Sequence, residues 1–469
     1  MNTKSKHVVS AVLFAFLFTV IAVGNTTAAT LHFAPGLYTG DLTIPASKTG
    51  LEVVGDPGAI IQGVATRPIV EWPQVSPNIE ILADGVKLHG FTIKAPAYSS
   101  GNYSSGVVIG AQNVEVYSNA FQCWSANTSD EIGQAIQTYQ ETAMPGVNVS
   151  GLNVHDNTFT DLIAGTWGYE AIYINRDTAG GILVTVQDNT FSGNIFRAVT
   201  VERSNATINN NSIITDLAPT DATLSTAGAY EGISVRDAGF GGPVDQTGII
   251  VTNNTINGSS ASKGFLQGLR LGITGETFVA SSVTATGNTI SRNTVGVLVK
   301  DPVAPDVAAS GIVLNNNNIM GNTTGVNNLD AGSSLDATLN YWGSYKGAGL
   351  SDGFRTGDSV SGTVSTGSFT LGQYGLDTDS DTTMNNADAN DDNDGYADVK
   401  EVALGFDALS AASPVAPNDI YIDDDWFGFA TGTVVTYTPP SGPPVTGLLI
   451  DYNAFPDGQP AVDAAPPTP

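Results

Sequence analysis

Apolar residues recur along the chain in an eight-residue register, with apolar side chains at positions 1, 3 and 8 and asparagine at position 6. The register runs Val114–Phe121 around Asn119, Leu152–Phe159 around Asn157, Val184–Phe191 around Asn189 and Ala206–Ile213 around Asn211. It returns as Ile249–Ile256, Val283–Ile290 and Ile312–Ile319, around Asn254, Asn288 and Asn317, while an earlier copy, Val86–Ile93, carries Phe91 in place of asparagine. Between the copies lies a shorter motif, a small residue followed by apolar, any, apolar: Gly106–Ile109, Ala171–Ile174, Ala198–Val201, Gly232–Val235, Gly268–Leu271 and Gly296–Val299. Period-2 alternation of this kind predicts short strands. Two strands per repeat, joined by turns of Asn, Gly, Thr and Ser, make a coil that cannot bury its apolar face alone but can when coils stack. A sandwich would have no need of one register repeated seven times. Asparagine at a fixed place in successive coils suits a hydrogen-bonded amide column, and its tolerance of the left-handed backbone suits a sharp corner.

The expected architecture is therefore all-β: a right-handed parallel β-helix over residues 30–370, followed by a small loop-rich segment. Over roughly residues 31–370 the chain resembles the right-handed β-helix repeat proteins of the pectate-lyase-like superfamily. The opening Ala34–Ile44 with Leu51–Gly55, and the closing Asn340-Tyr341-Trp342-Gly343-Ser344 with Gly357–Gly362, carry that resemblance. The spacing of the asparagines changes from copy to copy, so some turns open into loops, where function usually sits.

Residues 1–29 read as a signal peptide, with Lys4 and Lys6, an apolar run from Val8 to Gly24 and small residues at Thr27, Ala28 and Ala29. No later stretch is apolar enough to span a bilayer. The expectation is a secreted or cell-surface protein without a transmembrane segment once the signal is removed. The formal net charge of −28 disfavours phosphate backbones, so nucleic acid is not an expected partner. Cys123 is the only cysteine and no internal disulfide can brace the fold.

Composition shifts after Tyr374. From Asp377 to Asp407 stand ten acidic residues and one basic residue, Lys400. The run Asn390–Glu401 fits a twelve-residue EF-hand-type Ca2+ loop, with Asn390, Asp392, Asp394, Tyr396 (through its carbonyl), Asp398 and Glu401 at the ligand positions and Gly395 at the turn. A poorer copy starts at Asp377, with Asp379, Asp381 and Asp388 at positions 3, 5 and 12 but Thr382 where glycine belongs. The tandem resembles bacterial thrombospondin type 3-like repeats, which implies calcium as the cofactor of segment 371–412. The remainder, 413–469, is Pro-rich and reads as a tail or linker, with a strand or two near Asp423–Trp426 and Thr433–Tyr437.

Catalytic motifs of pectin methylesterases, polygalacturonases, alginate epimerases and pectate lyases are absent from the coils. One constellation survives. Arg176, Arg197, Arg203, Arg236 and Arg270 border the second strand motif, beside Glu170, Glu202, Glu231, Asp237 and Tyr173. Stacking at about 5 Å per layer gathers them on one outward face, with Trp124, Trp167 and Tyr169 in loops that could rim it. The candidate ligand-binding residues are Glu170, Tyr173, Arg176, Arg203, Glu231, Arg236 and Arg270. Arginine forks could grip carboxylated sugars; the same residues could instead form a surface salt-bridge ladder of little energetic weight. The leading expectation is a non-catalytic β-helix that binds a polysaccharide, cell-surface glycan or matrix, with no catalytic residue assigned. The alternatives are a lyase acting on uronate-containing polymers and a structural adhesin or surface-layer stalk.

Overall fold

The computed structural model describes residues 29–64, 76–97, 104–122, 134–139, 147–161, 170–174, 183–202, 204–219, 230–236, 248–272, 283–299, 311–330, 332–413, 417, 419–457 and 460. The signal-peptide reading and Cys123 fall outside these residues.

Three long sheets form the body, and every pairing within them is parallel. Sheet 1 has twelve strands, from Thr30–Phe33 to Val364–Ser365; sheet 2 has ten, from Gly36–Thr39 to Asn318–Met320; sheet 3 has eleven, from Leu42–Ile44 to Val360–Ser361. Each coil visits the sheets in the same order, and neighbouring strands are always one coil apart in sequence. This is the expected right-handed parallel β-helix, the hand that parallel crossover connections take.

The eight-residue register turns out to hold two short strands and the corner between them, so a coil has three strands where two were expected. In Val114–Phe121, Val116 lies on a sheet 1 strand (Glu115–Tyr117) and Phe121 on a sheet 2 strand (Ala120–Gln122). The chain turns at position 5, where Ser118, Asp156, Asp188, Asn210, Asn253 and Asn316 have φ between 52° and 56°. The ladder asparagine follows that left-handed residue and does not itself adopt the conformation. Its role is hydrogen bonding. Asn211 Nδ2 donates to Asn254 Oδ1 (2.9 Å) in the next coil, to Val186 O (3.0 Å) in the preceding one and to Asn209 O (3.1 Å) in its own. Its Oδ1 accepts from the backbone N–H and Nδ2 of Asn189. The same links run from Asn119 through Asn157, Asn189, Asn211, Asn254, Asn288 and Asn317 to Asn340. One side chain per coil thus satisfies the polar backbone of a buried corner, which would otherwise be costly. A shorter column, Asn293–Asn322–Asp358, serves the corner between sheets 2 and 3.

Apolar columns fill the interior. Position 8 stacks Phe121, Phe159 and Phe191 at ring-centroid separations of 4.8 and 4.6 Å, continued by Ile213, Ile256, Ile290 and Ile319. Position 3 and the alternate residues of sheet 3 complete the core, and Trp342 closes it at the last coil.

Residues 371–412 follow as loops and one helix, Asp398–Leu404, ended by Gly405 in the left-handed region at φ 83°. Within the stretch read as a tail or linker, Val434–Tyr437 and Val445–Leu449 form an antiparallel hairpin, and Tyr421–Ile422 pairs with Ala454–Phe455. Trp426, Val435, Leu448, Ile450 and Ala454 give this unit its own small core. Asp424–Trp426 is a 3-10 turn rather than a strand, with the Asp423 side chain accepting from the Asp425 amide.

Candidate functional site

The outer face of sheet 3 gathers the expected charged residues in register. Glu170, Arg197, Glu231 and Gln267 occupy one column; Tyr173, Thr200, Ser234 and Arg270 a second; Glu202 and Arg236 a third. Their neighbours Ile172, Val199, Ile233 and Leu269 belong to the core. Arg197 Nη1 donates to Glu170 Oε1 (2.9 Å), and Arg236 Nη2 donates to the same oxygen (3.0 Å). Arg236 Nε stands 2.7 Å from Glu202 Oε1, Arg197 Nε stands 3.4 Å from Glu231 Oε2, and Arg270 pairs with Glu231. The Tyr173 hydroxyl donates to Glu202.

The face is not an exposed patch. Glu170, Tyr173, Arg197, Glu202, Glu231 and Arg270 are all buried, Glu231 completely. A surface ladder of weak pairs is therefore the wrong description, because desolvated ions depend on their partners far more than exposed ones do. Burial opposes ionisation of Glu231, yet Arg197, Arg270 and Arg236 outweigh it and hold the carboxyl below its ordinary range. Glu202 moves the other way, raised chiefly by burial, with Arg236 only partly offsetting it. Burial and the Glu202 charge push the Tyr173 phenol well up. Arg197, Arg236 and Arg270 face three glutamates, so the guanidiniums are engaged within the protein. Arg176, Arg203, Asp237, Trp124, Trp167 and Tyr169 lie outside the described residues.

The acidic segment presents the opposite arrangement. Asp392, Asp394 and Glu401 each bring a carboxylate oxygen to within 4.8 Å of the others. Local sequence explains how. Gly395 takes φ 97° and turns the loop at the sixth position, and helix Asp398–Leu404 carries Glu401 back over it. Asn390 joins the same point: its amide oxygen lies 2.6 Å from the Tyr396 carbonyl oxygen and 3.3 Å from Asp392 Oδ1. Acceptors this close repel unless something positive lies between them. A reversed amide would relieve the contact with hydrogen bonds; a cation would relieve it as it stands.

The carboxylates bear on the choice. Both oxygens of Glu401, with Asp392 Oδ2 and Asp394 Oδ2, are buried and without a hydrogen-bond partner, and Glu401 is wholly inaccessible. Turning one amide leaves those four atoms unsatisfied, a costly arrangement for a folded interior. Burial, then repulsion from Asp392, Asp394 and Asp398, pushes Glu401 up to about 8. Oxygen-only donors converging at this spacing, with a backbone carbonyl among them, fit a hard divalent cation such as Ca2+.

Two expected ligands are placed differently. Asp398 opens the helix; its Oδ1 accepts from the Asp391 amide (2.9 Å), and its Oδ2, buried and without a hydrogen-bond partner, stands outside the trio that converges within 4.8 Å. In the first loop Asp377, Asp379 and Asp381 converge within 4.8 Å, whereas Asp388 accepts from the amides of Ala389 and Asn390. The first-loop carboxylates also bond backbone amides, as in Ser380 N to Asp377 Oδ1 (2.7 Å), and are more open to solvent. Thr382 there adopts φ 83°, the conformation that glycine would supply. The sequence reading missed Asp391, which is 1% exposed and receives the Tyr345 hydroxyl on Oδ2. Its place between Asn390 and Asp392 was the available signal.

No family model matches the chain, and a comparison with curated proteins returns no match. Among solved structures, the chain is similar to the A-module of Azotobacter vinelandii mannuronan C-5 epimerase AlgE6, at 13% identity and a TM-score of 0.32, over 73% of this chain and 90% of that one. The AlgE4 A-module aligns at 10% identity and a TM-score of 0.26, over 67% and 70%. At these scores no residue role is carried across, and the fold assignment rests on the sheet topology. Among the described residues no helix is long and apolar enough to cross a membrane.

Proposed function

We propose that this protein is a secreted or cell-surface calcium-binding β-helix with a binding or scaffolding role, in which Ca2+ occupies the Asn390–Glu401 loop. The observation that carries the reading is Glu401: fully buried, both carboxylate oxygens unpartnered, facing Asp392 and Asp394. Asn390, Asp392, Asp394, the Tyr396 carbonyl and Glu401 hold the ion, and Asp377, Asp379 and Asp381 form a weaker second site. The acidic resemblance to thrombospondin type 3-like repeats supports the same assignment.

For the coils, the self-paired arginines favour a non-catalytic role. A lyase would need a neutral guanidine or a phenolate to take a proton. Here Arg197, Arg236 and Arg270 are held charged by glutamates, and Tyr173 is tied to Glu202, its phenol harder to ionise than usual. The partner we propose is a glycan or matrix polymer.

Calorimetric titration of the chelator-treated protein with Ca2+ tests the ion. Saturable binding that disappears in Glu401→Gln is expected, and absence of binding would refute the assignment. A panel of uronate polymers, assayed in parallel for binding and for ultraviolet absorbance of unsaturated product, tests the role. Binding without turnover is expected; product formation would establish the lyase alternative.

A further inference from the structure

The acidic segment does not hang from the β-helix; it is bracketed by the last coil at both ends of the calcium loop. At the near end, Asp391 lies between Asn390 and Asp392, and the hydroxyl of Tyr345 donates to its Oδ2. Tyr345 is 2% exposed. At the far end, Arg355 pairs with Asp407, six residues beyond Glu401. The two bracket residues are themselves locked together. Asp352 accepts from the amides of Tyr345 (3.1 Å) and Arg355 (2.7 Å), and the Arg355 guanidinium sits 5.4 Å from the Tyr345 ring centroid. A separate anchor ties the start of the segment: Asn318 and Tyr374 exchange two hydrogen bonds of 2.9 Å. That anchor involves none of the loop residues.

We infer that cation loading of the Asn390–Glu401 loop and docking of the acidic segment on the last coil are one coupled event, with Tyr345 and Arg355 as positioning residues. The inference rests on the calcium reading above and adds its consequence for the β-helix. Asp391 has its backbone in the loop and its side chain on the coil, so it is placed for Tyr345 only when Asn390 and Asp392 are drawn to their common point. Without the cation, the crowded carboxylates repel, the loop opens and both brackets are released. With it, the segment is held on the last coil by Tyr345 and Arg355. Linkage is reciprocal: whatever the ion does for docking, docking does for the ion.

The test is a Ca2+ titration of the full chain and of Tyr345→Phe and Arg355→Gln, with hydrogen exchange measured with and without the ion. Neither substitution touches a proposed ligand. Each is expected to weaken Ca2+ affinity by roughly fivefold or more, and to lower the melting temperature with calcium present more than in chelator. Calcium should slow exchange across residues 341–358 and leave residues 183–199 unchanged. Normal uptake with wild-type affinity in both variants, and no calcium-dependent protection of 341–358, overturns the coupling and leaves the ion site standing. Failure of the wild-type protein to take up calcium overturns both. A variant that melts equally early with and without the ion marks a purely structural contact and also overturns the coupling.

Discussion

Two groups of buried carboxylates stand in this protein, and they have been given opposite companions. On sheet 3, Glu170, Glu202 and Glu231 face Arg197, Arg236 and Arg270 across five ion-pair contacts. In the acidic segment, Asp392, Asp394 and Glu401 converge with no basic side chain among them, and four of their oxygens have no partner. Burial acts on both groups, but Glu231 ends below its ordinary range while Glu401 is pushed up to about 8. In the first cluster every carboxylate has a guanidinium facing it. The second has none, and the proposed cation would supply the missing positive charge. What separates the two clusters is the companion charge: guanidiniums stand among the sheet 3 glutamates, whereas no basic side chain stands among the converging oxygens of Asp392, Asp394 and Glu401.

One substitution made in both places breaks this comparison if it is wrong. Glu231→Gln removes the charge that Arg197 and Arg270 share and should destabilise the β-helix by about 3–5 kcal/mol, the usual cost of orphaning a buried ion. Glu401→Gln in chelator should act in the opposite direction, raising stability by removing an uncompensated charge. Urea unfolding of the two variants reads the signs; destabilisation by both would contradict the distinction. The next largest effect is expected at the amide column. Asn211→Ala strips partners from the Asn189 amide and from the Val186 and Asn209 carbonyls, at a cost of roughly 2–3 kcal/mol in the same unfolding measurement.

Acidity separates the clusters more gently. Glu401 carries a folded-state value near 8 against 4.5 in the unfolded chain. Its contribution in the calcium-free protein is therefore fully present below about pH 4.5 and lost as the pH rises through about 8. Melting in chelator should fall across that window and flatten when Ca2+ is added; a calcium-independent profile would argue against the ion. The smallest effect belongs to the first loop. Thr382→Gly, which relieves a β-branched residue held at φ 83°, should stabilise the segment by about 1 kcal/mol in thermal melts.

Much of this was legible in the sequence, and for identifiable reasons. Position 6 of the register is asparagine because a corner amide must bond three coils at once, so the ladder from Asn119 to Asn317 was visible as spacing alone. The convergence of Asp392, Asp394 and Glu401 was legible because alternating donors around a glycine turn fold onto one point. What the spacing did not convey was depth. Arg197, Arg236 and Arg270 alternate with apolar residues as surface charges do, and only the assembled coils show that their outer face is covered. The three-strand coil was hidden for a related reason: the residue that bends the register is Ser118 in one copy, Asp156 in another and Asn210 in a third, which share a backbone angle rather than a side chain. Asp391 was passed over because it occupies a non-ligand position, and its importance comes from Tyr345, 46 residues away.

Terbium luminescence is the most direct test of the central claim, since the Tyr396 ring belongs to the loop and its carbonyl is a proposed ligand. Terbium added to the chelator-treated chain should give sensitised emission that saturates, is displaced by Ca2+, and is lost in Glu401→Gln but retained in Glu231→Gln. Emission that is absent from the wild-type protein, or that persists undiminished in Glu401→Gln, would contradict the account.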